Sequence, residues 1–201
     1  MLIQRSSKKL KNIANKWNRF SPRASPSPQL AKRLLRNAQR FVWKDPNTGA
    51  LLGPLPAYLR APKIYGHIMG LIMNLRTLAL SSTVTEIVIL VVASHFGAAY
   101  PLYAHEYQAR AITDLTEAQV EALKAGRTPD GLSDQGLAAY EVARELLEKK
   151  GPLSKDRWDS AVNFFGMDGA LGLLYYVGVY SAVSVLVNGI DTPVPDANWK
   201  M

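Results

Sequence analysis

Five residues between positions 86 and 105 have side chains suited to proton chemistry: Glu86, His95, Tyr100, Tyr103 and His105. Glu86 opens the apolar run "EIVILVVAS", His95 and Phe96 close it, and "YPLYAHEYQAR" follows at once. A carboxylate and an imidazole brought together can pass a proton near neutral pH. Glu86 and His105 are therefore the candidate catalytic pair, with Tyr100, Tyr103 and His95 as candidate substrate-binding residues lining the pocket. Each residue also has a plainer reading. Glu86 can close a T-x-x-E capping box with Thr83. His105 and Glu106 can be a solvent-facing pair, and the two tyrosines can be core residues with wet hydroxyls. His95 can simply sit well at the negative end of a helix dipole.

Other chemistries are closed off. The chain has no cysteine, so thiol nucleophiles, thiolate metal sites and redox disulfides are absent together. His67, His95 and His105 show no metal-ligand spacing, and no nucleophile elbow, phosphate loop or dinucleotide fingerprint occurs. The reading is a site without metal or cofactor, acting on a small molecule.

The elements that must position these residues read as helices. Thr83 with Glu86 starts one and Gly97 stops it. Pro101 stands early in the next, where its missing N–H does no harm. Two helices joined by so short a turn pack antiparallel, which lets the second lay His105 beside the first. Thr116 and Gln119 cap a helix closed by Gly126; Ser133 starts another that ends at Gly151; residues 154–166 are amphipathic. Upstream, residues 29–43 and 63–80 have helical spacing, while Pro and Gly make 44–62 mostly loop with a helical turn at 57–60. No repeat or hairpin signal occurs. The fold class expected is all-α, with seven or eight helices.

The charge is lopsided. The chain carries a formal +8, yet residues 1–44 hold twelve Lys or Arg and no acid, leaving a net of −4 for the other 157 residues. Residues 1–25 read as a basic arm or a transit segment, "SPRASPSP" at 21–28 as a linker, and 26–201 as a single domain. The location expected is cytoplasmic, with mitochondrial import as the alternative raised by the basic end. No nucleic-acid-binding module is present and the rest of the chain is acidic, so nucleic acid is not an expected partner. From Gly169 to Ile190, 22 residues carry no charge. That length can cross a bilayer, but seven small or polar interruptions and acidic flanks without basic anchors favour a helix buried between core and subunit interface. Membrane association is not expected.

"EIVILVVASHFGAAYPLYAHEYQARA" resembles the signature of the carboxymuconolactone decarboxylase and alkyl hydroperoxidase D-like family, whose cysteine-free members commonly read E-x-x-I-L-x-V-A-x-x-W/F-x-x-x-Y-E-W-x-x-H-x-x-x-A. "GPL" at Gly53 to Leu55, "LRAP", and the terminal apolar helix with Asn188 before "TPVPD" follow the same order, so the resemblance covers about residues 45 to 195. It implies an alkyl hydroperoxidase D-like helical fold, a homo-oligomer (trimer or hexamer) and an active site near a subunit interface. The glutamate of the signature falls on Glu86 and the histidine on His105.

The same resemblance shows two departures. The Cys-x-x-Cys of the peroxidase branch falls on Ala98 and Pro101, which removes thiol peroxidase chemistry. The Y-E-W of many decarboxylase-like members reads Tyr100-Pro101-Leu102. The function expected is a cofactor-independent decarboxylase, related lyase or isomerase on a small cyclic carboxylic acid or lactone. The alternative is a non-catalytic oligomeric ligand-binding member of the same family.

Overall fold

The structure, a computed structural model, describes residues 52–149 and 151–194. The basic arm or transit segment, the linker and the helix expected at 29–43 lie outside these residues. Among the described residues there are seven helices and no strand: α1 (Leu55–Arg60), α2 (Pro62–Leu75), α3 (Ser82–His95), α4 (Ala99–Ile112), α5 (Glu117–Lys124), α6 (Asp134–Lys149) and α7 (Lys155–Gly189).

Helix α3 is the centre. It packs on α4, α5, α6 and α7, and so it can be apolar on every side. Ile87, Val88, Leu90 and Val92 are completely buried. Each contributes at most about 1.5–3 kcal/mol by leaving water. This burial outweighs the small helix penalty of so many β-branched residues. Gly97 ends α3 in the left-handed region (φ 57°), and Ala98 N–H returns to the Ala93 carbonyl at 2.9 Å. This Schellman-type stop turns the chain within three residues into α4.

The start of α3 differs from the expected capping box. Its N-cap is Ser81, whose hydroxyl accepts from Val84 N–H at 3.2 Å. Thr83 instead hydrogen-bonds Asp114, and Glu86 points into the protein. "SSTVTE" offers three candidate caps in a row, and packing chose the first. The box at Thr116 and Gln119 forms as expected, with both reciprocal bonds present. Ser133 also starts α6, accepting from Gly136 N–H.

The helix expected over 63–80 stops earlier, at Leu75. Residues 76–81 form a turn whose Leu78 and Leu80 pack on α7 where Gly172 and Gly169 leave room; a Cβ on Gly172 would lie 2.6 Å from Leu78 Cδ1. The turn expected at 57–60 is a longer helix, Leu55–Arg60. The last two helical stretches run on from each other as α7, broken at Gly166 (φ 68°, ψ 177°). Ser154, at the N-terminus of α7, donates both its N–H and its hydroxyl to Glu145 of α6. At the other end, Asn188 Nδ2 donates to the Phe96 carbonyl at 2.8 Å, pinning α7 to the α3–α4 turn.

By length and composition α7 could cross a membrane. In this fold its Ala170, Leu173, Tyr176 and Val187 are core, whereas Leu171, Tyr175 and Val185 face outward.

Candidate active site

The site begins with the α3–α4 hairpin. Glu86 lies just over one turn into α3 and His105 nearly two turns into α4, so the antiparallel packing sets them face to face. His105 Nδ1 lies 2.8 Å from Glu86 Oε2. Glu86 is 6% exposed and the His105 side chain 15%. The solvent-facing reading is thereby removed, since a pair this withdrawn from water is not a screened surface contact. With Nδ1–H donated to the carboxylate, Nε2 is the nitrogen left to take or give a proton. His105 Nδ1 rather than Nε2 carries that proton because the carboxylate can only accept.

Three other helices close around the imidazole. Tyr180 of α7 meets it edge-on, with ring centroids 5.1 Å apart at 86°, and Tyr176 stacks beneath Tyr180 at 6.2 Å. His105, Tyr180 and Tyr100 line a cavity of about 110 Å³ together with Arg76, at the end of α2, and Tyr58 of α1. Its remaining walls are apolar, among them Ile72, Met73, Pro101 and Val183. The loop before α1 comes over Tyr100: Gly53 (φ 63°) lies so close that it has no room for a side chain.

Burial pushes the Tyr58 hydroxyl up to about 12, with Tyr65 adding to the effect. Tyr100 and Tyr180 are raised further, again chiefly by burial. For Tyr180 the Glu86 charge adds to the rise while Arg76 opposes it. Tyr176 is raised by burial against the pull of Arg76. These tyrosines therefore remain neutral hydroxyls, able to donate hydrogen bonds to an oxygen in the cavity.

The structure thus brings together Glu86, His105 and Tyr100. Tyr103 lies beside Tyr100, ring centroids 6.4 Å apart, but is not among the residues lining the cavity. Its hydroxyl is raised by burial. His95 does not join the pair. It lines a separate cavity of about 120 Å³ with Ser94, Arg127, Tyr140 and Arg144. Nine residues of helical rise place it roughly 13 Å along α3 from Glu86, so the expectation that it lines the same pocket is corrected. Arg76, Tyr58 and Tyr180 were missed by sequence reasoning. Tyr176 and Tyr180 did carry a signal: two polar-tipped rings four residues apart on an otherwise apolar helix share one face.

Among the described residues no group of three or more His, Asp or Glu side chains could hold a metal ion. The arrangement can orient an imidazole, move a proton and hydrogen-bond a developing oxyanion in an apolar enclosure.

No protein-family model matches the chain, and no curated protein matches it in sequence. Solved structures do match. One is a protein of unknown function from Agrobacterium tumefaciens, described as an AhpD-type antioxidant defence candidate, at TM-score 0.61 and 15% identity over 69% of this chain and 95% of that one. Another is the debrominase Bmp8, as a variant with a cysteine replaced by alanine and 2,3,4-tribromopyrrole bound, at TM-score 0.66 and 17% identity over 88% and 90% of the two chains. Its apo form aligns at TM-score 0.64 and 16% identity over 88% and 91%. This protein has the alkyl hydroperoxidase D-like helical fold.

Proposed function

We propose that the protein is a cofactor-independent lyase or isomerase, with decarboxylation among its candidate reactions, acting on a small cyclic carboxylic acid or lactone. The observation that carries this reading is the 2.8 Å contact between Glu86 Oε2 and His105 Nδ1 beside an apolar cavity. Glu86 holds the ring and its tautomer, so that Nε2 meets the substrate as base or, once protonated, as acid. Tyr100 and Tyr58 line the same cavity as neutral donors for enolate or carboxylate oxygen. Tyr180, edge-on to the imidazole, restricts its rotation.

The cavity volume, about 110 Å³ before its open side is counted, suits a compact ring. The debrominase of the same fold was solved with a five-membered ring bound, which supports a small cyclic ligand in this protein too. Any route through a cysteine thiolate is closed to this chain. A homo-oligomer is part of the proposal. It is supported by exposed apolar side chains, Ile64 and Leu71 on one face of α2 and Tyr175 and Val185 on α7, of the kind that copies of a chain cover.

One observation favours the non-catalytic reading: Pro101, inert in acid–base chemistry, lines the cavity beside His105. A screen of small cyclic acids and lactones for turnover, with His105→Ala as control, separates the two. Turnover lost in the variant with helicity and size unchanged supports the enzyme. Ligand binding without turnover in the native protein favours the binder.

A further inference from the structure

The cavity that His105 lines has one cationic side chain among its lining residues, Arg76. Arg76 caps the C-terminus of α2 and is itself exposed, whereas Tyr180, on the same cavity, is 8% exposed. The cavity therefore has a polar, positive outer end and a buried inner end occupied by the His105 and Tyr180 rings. Glu86 stands behind His105, with its Oε2 covered by Nδ1. The opposing charges of Arg76 and Glu86 both act on Tyr180, which lies within reach of each. An anion entering the cavity is drawn to the Arg76 end and repelled from the Glu86 end.

We infer that Arg76 anchors a substrate carboxylate that survives the reaction, while His105 works on a carbon at the inner end of the same molecule. The inference deepens the proposed function and rests on the reading of His105 as the proton-transfer residue. A guanidinium is suited to the role by its fork of donors and permanent charge. Its placement also constrains the chemistry. A carboxylate held by a guanidinium is stabilised in the ground state, and that stabilisation disappears as the group becomes neutral carbon dioxide. The anchored carboxylate is therefore not the one expelled.

Two balanced reactions fit. In an isomerisation, the C–H bond breaks toward His105 Nε2, its electron pair enters the adjoining π system, and the proton returns at another carbon. In a decarboxylation, a second carboxylate at the inner end leaves as carbon dioxide, its bonding pair stays on carbon, and protonated His105 supplies the proton. Neither needs an oxidant or a reductant. Arg76 also sits where any basic residue is favoured by a helix dipole, so the test must read charge recognition rather than stability.

The probe is 2-furoate, a five-membered ring bearing one carboxylate, compared with the isosteric neutral furan-2-carboxamide. Binding is measured by calorimetry and thermal shift for the native protein, R76Q, R76K and H105A. The native protein should bind the acid in preference to the amide. R76Q should weaken the acid about 10- to 100-fold, the scale of one lost charge-assisted pair, and leave the amide unchanged. R76K should recover part of the loss, and H105A should keep most of the acid binding. Equal binding of acid and amide by the native protein overturns the anchor, as does acid binding that survives R76Q. If R76Q loses the acid while H105A retains full turnover in the activity screen, the anchor stands and the assigned proton-transfer role of His105 falls.

Discussion

Gly53 and the Tyr100 ring interlock. A Cβ built on Gly53 would lie 2.3 Å from Tyr100 Cε1 and 2.5 Å from Cζ, and Gly53 holds a φ of 63°. The glycine therefore serves two purposes, a left-handed turn and a close approach. Tyr100 is 6% exposed beneath it and lines the His105 cavity, so the turn before α1 fixes one wall of the site. Gly53→Ala should displace Tyr100 or the turn and lower stability by about 1–3 kcal/mol. Ligand affinity should fall with it. In Gly53→Ala/Tyr100→Leu the steric part of the stability loss should be relieved, because the clashing ring is gone. A double-mutant cycle by chemical denaturation measures this; strict additivity would mean that the two residues do not interact.

Glu86 and His105 should respond differently to two substitutions. Glu86→Gln keeps an oxygen acceptor for Nδ1–H but removes the charge that stabilises the imidazolium. It should cost little stability and lower turnover on the order of 10²-fold or more. Glu86→Ala leaves a half-buried imidazole without its partner and should cost about 1–3 kcal/mol as well. Denaturation midpoints and kcat together check this. Equal stability loss in both variants with unchanged kcat would leave Glu86 a structural residue only.

Much of this arrangement was legible in the sequence. A seven-residue apolar run, Ile87 to Ala93, with a capping signal before it and the Gly97 stop after it favours a buried helix over a strand, and a three-residue turn brings α3 and α4 together. That is enough to bring Glu86 toward His105. What was not legible depends on long-range packing. Ser81, Ser82 and Thr83 are all competent N-caps, and only the neighbouring Asp114 draws Thr83 away. Leu78 and Leu80 continue the apolar spacing of α2, but the room left by Gly169 and Gly172 lets them serve a turn instead. Arg76, Tyr58 and Tyr180 reach the cavity from three other helices, and nothing local in the sequence joins them to His105. His95 was misplaced because closeness along the chain stood in for closeness around a helix.

The buried tyrosines set an alkaline limit. Tyr58 is raised from 10.0 to about 12 in the folded protein, and Tyr100 and Tyr180 are raised further. The unfolded chain loses these protons near pH 10 while the folded chain keeps them. Stability from this source is thus complete below about pH 10 and falls as pH rises from there through the folded values. Denaturation midpoints should decline from about pH 10 upward. A spectrophotometric titration should show at least these three phenols ionising only with unfolding. Reversible ionisation of all nine tyrosines near pH 10, with the helical signal intact, would contradict the burial of the site.

Gly70 tests the outward face of α2. It lies inside a helix of 14 residues and a Cβ there meets no atom within 4 Å. In a free helix, glycine costs roughly 0.5–1 kcal/mol relative to alanine, through the extra backbone freedom it loses on folding. Gly70→Ala should therefore raise stability by about that much if this face looks into water. The exposed Met73 lies three residues further on the same face, and Gly66 stands one turn away, also with open space around it. Where a second copy packs closely on α2, the added methyl meets that copy and the sign reverses. The measurement is the denaturation midpoint of Gly70→Ala across a range of protein concentrations, read beside sedimentation. Stabilisation at every concentration leaves Gly70 outside any interface. Stabilisation in the dissociated protein that turns to destabilisation in the assembled one locates the subunit contact on α2, at the edge of the cavity that Met73 and Arg76 line.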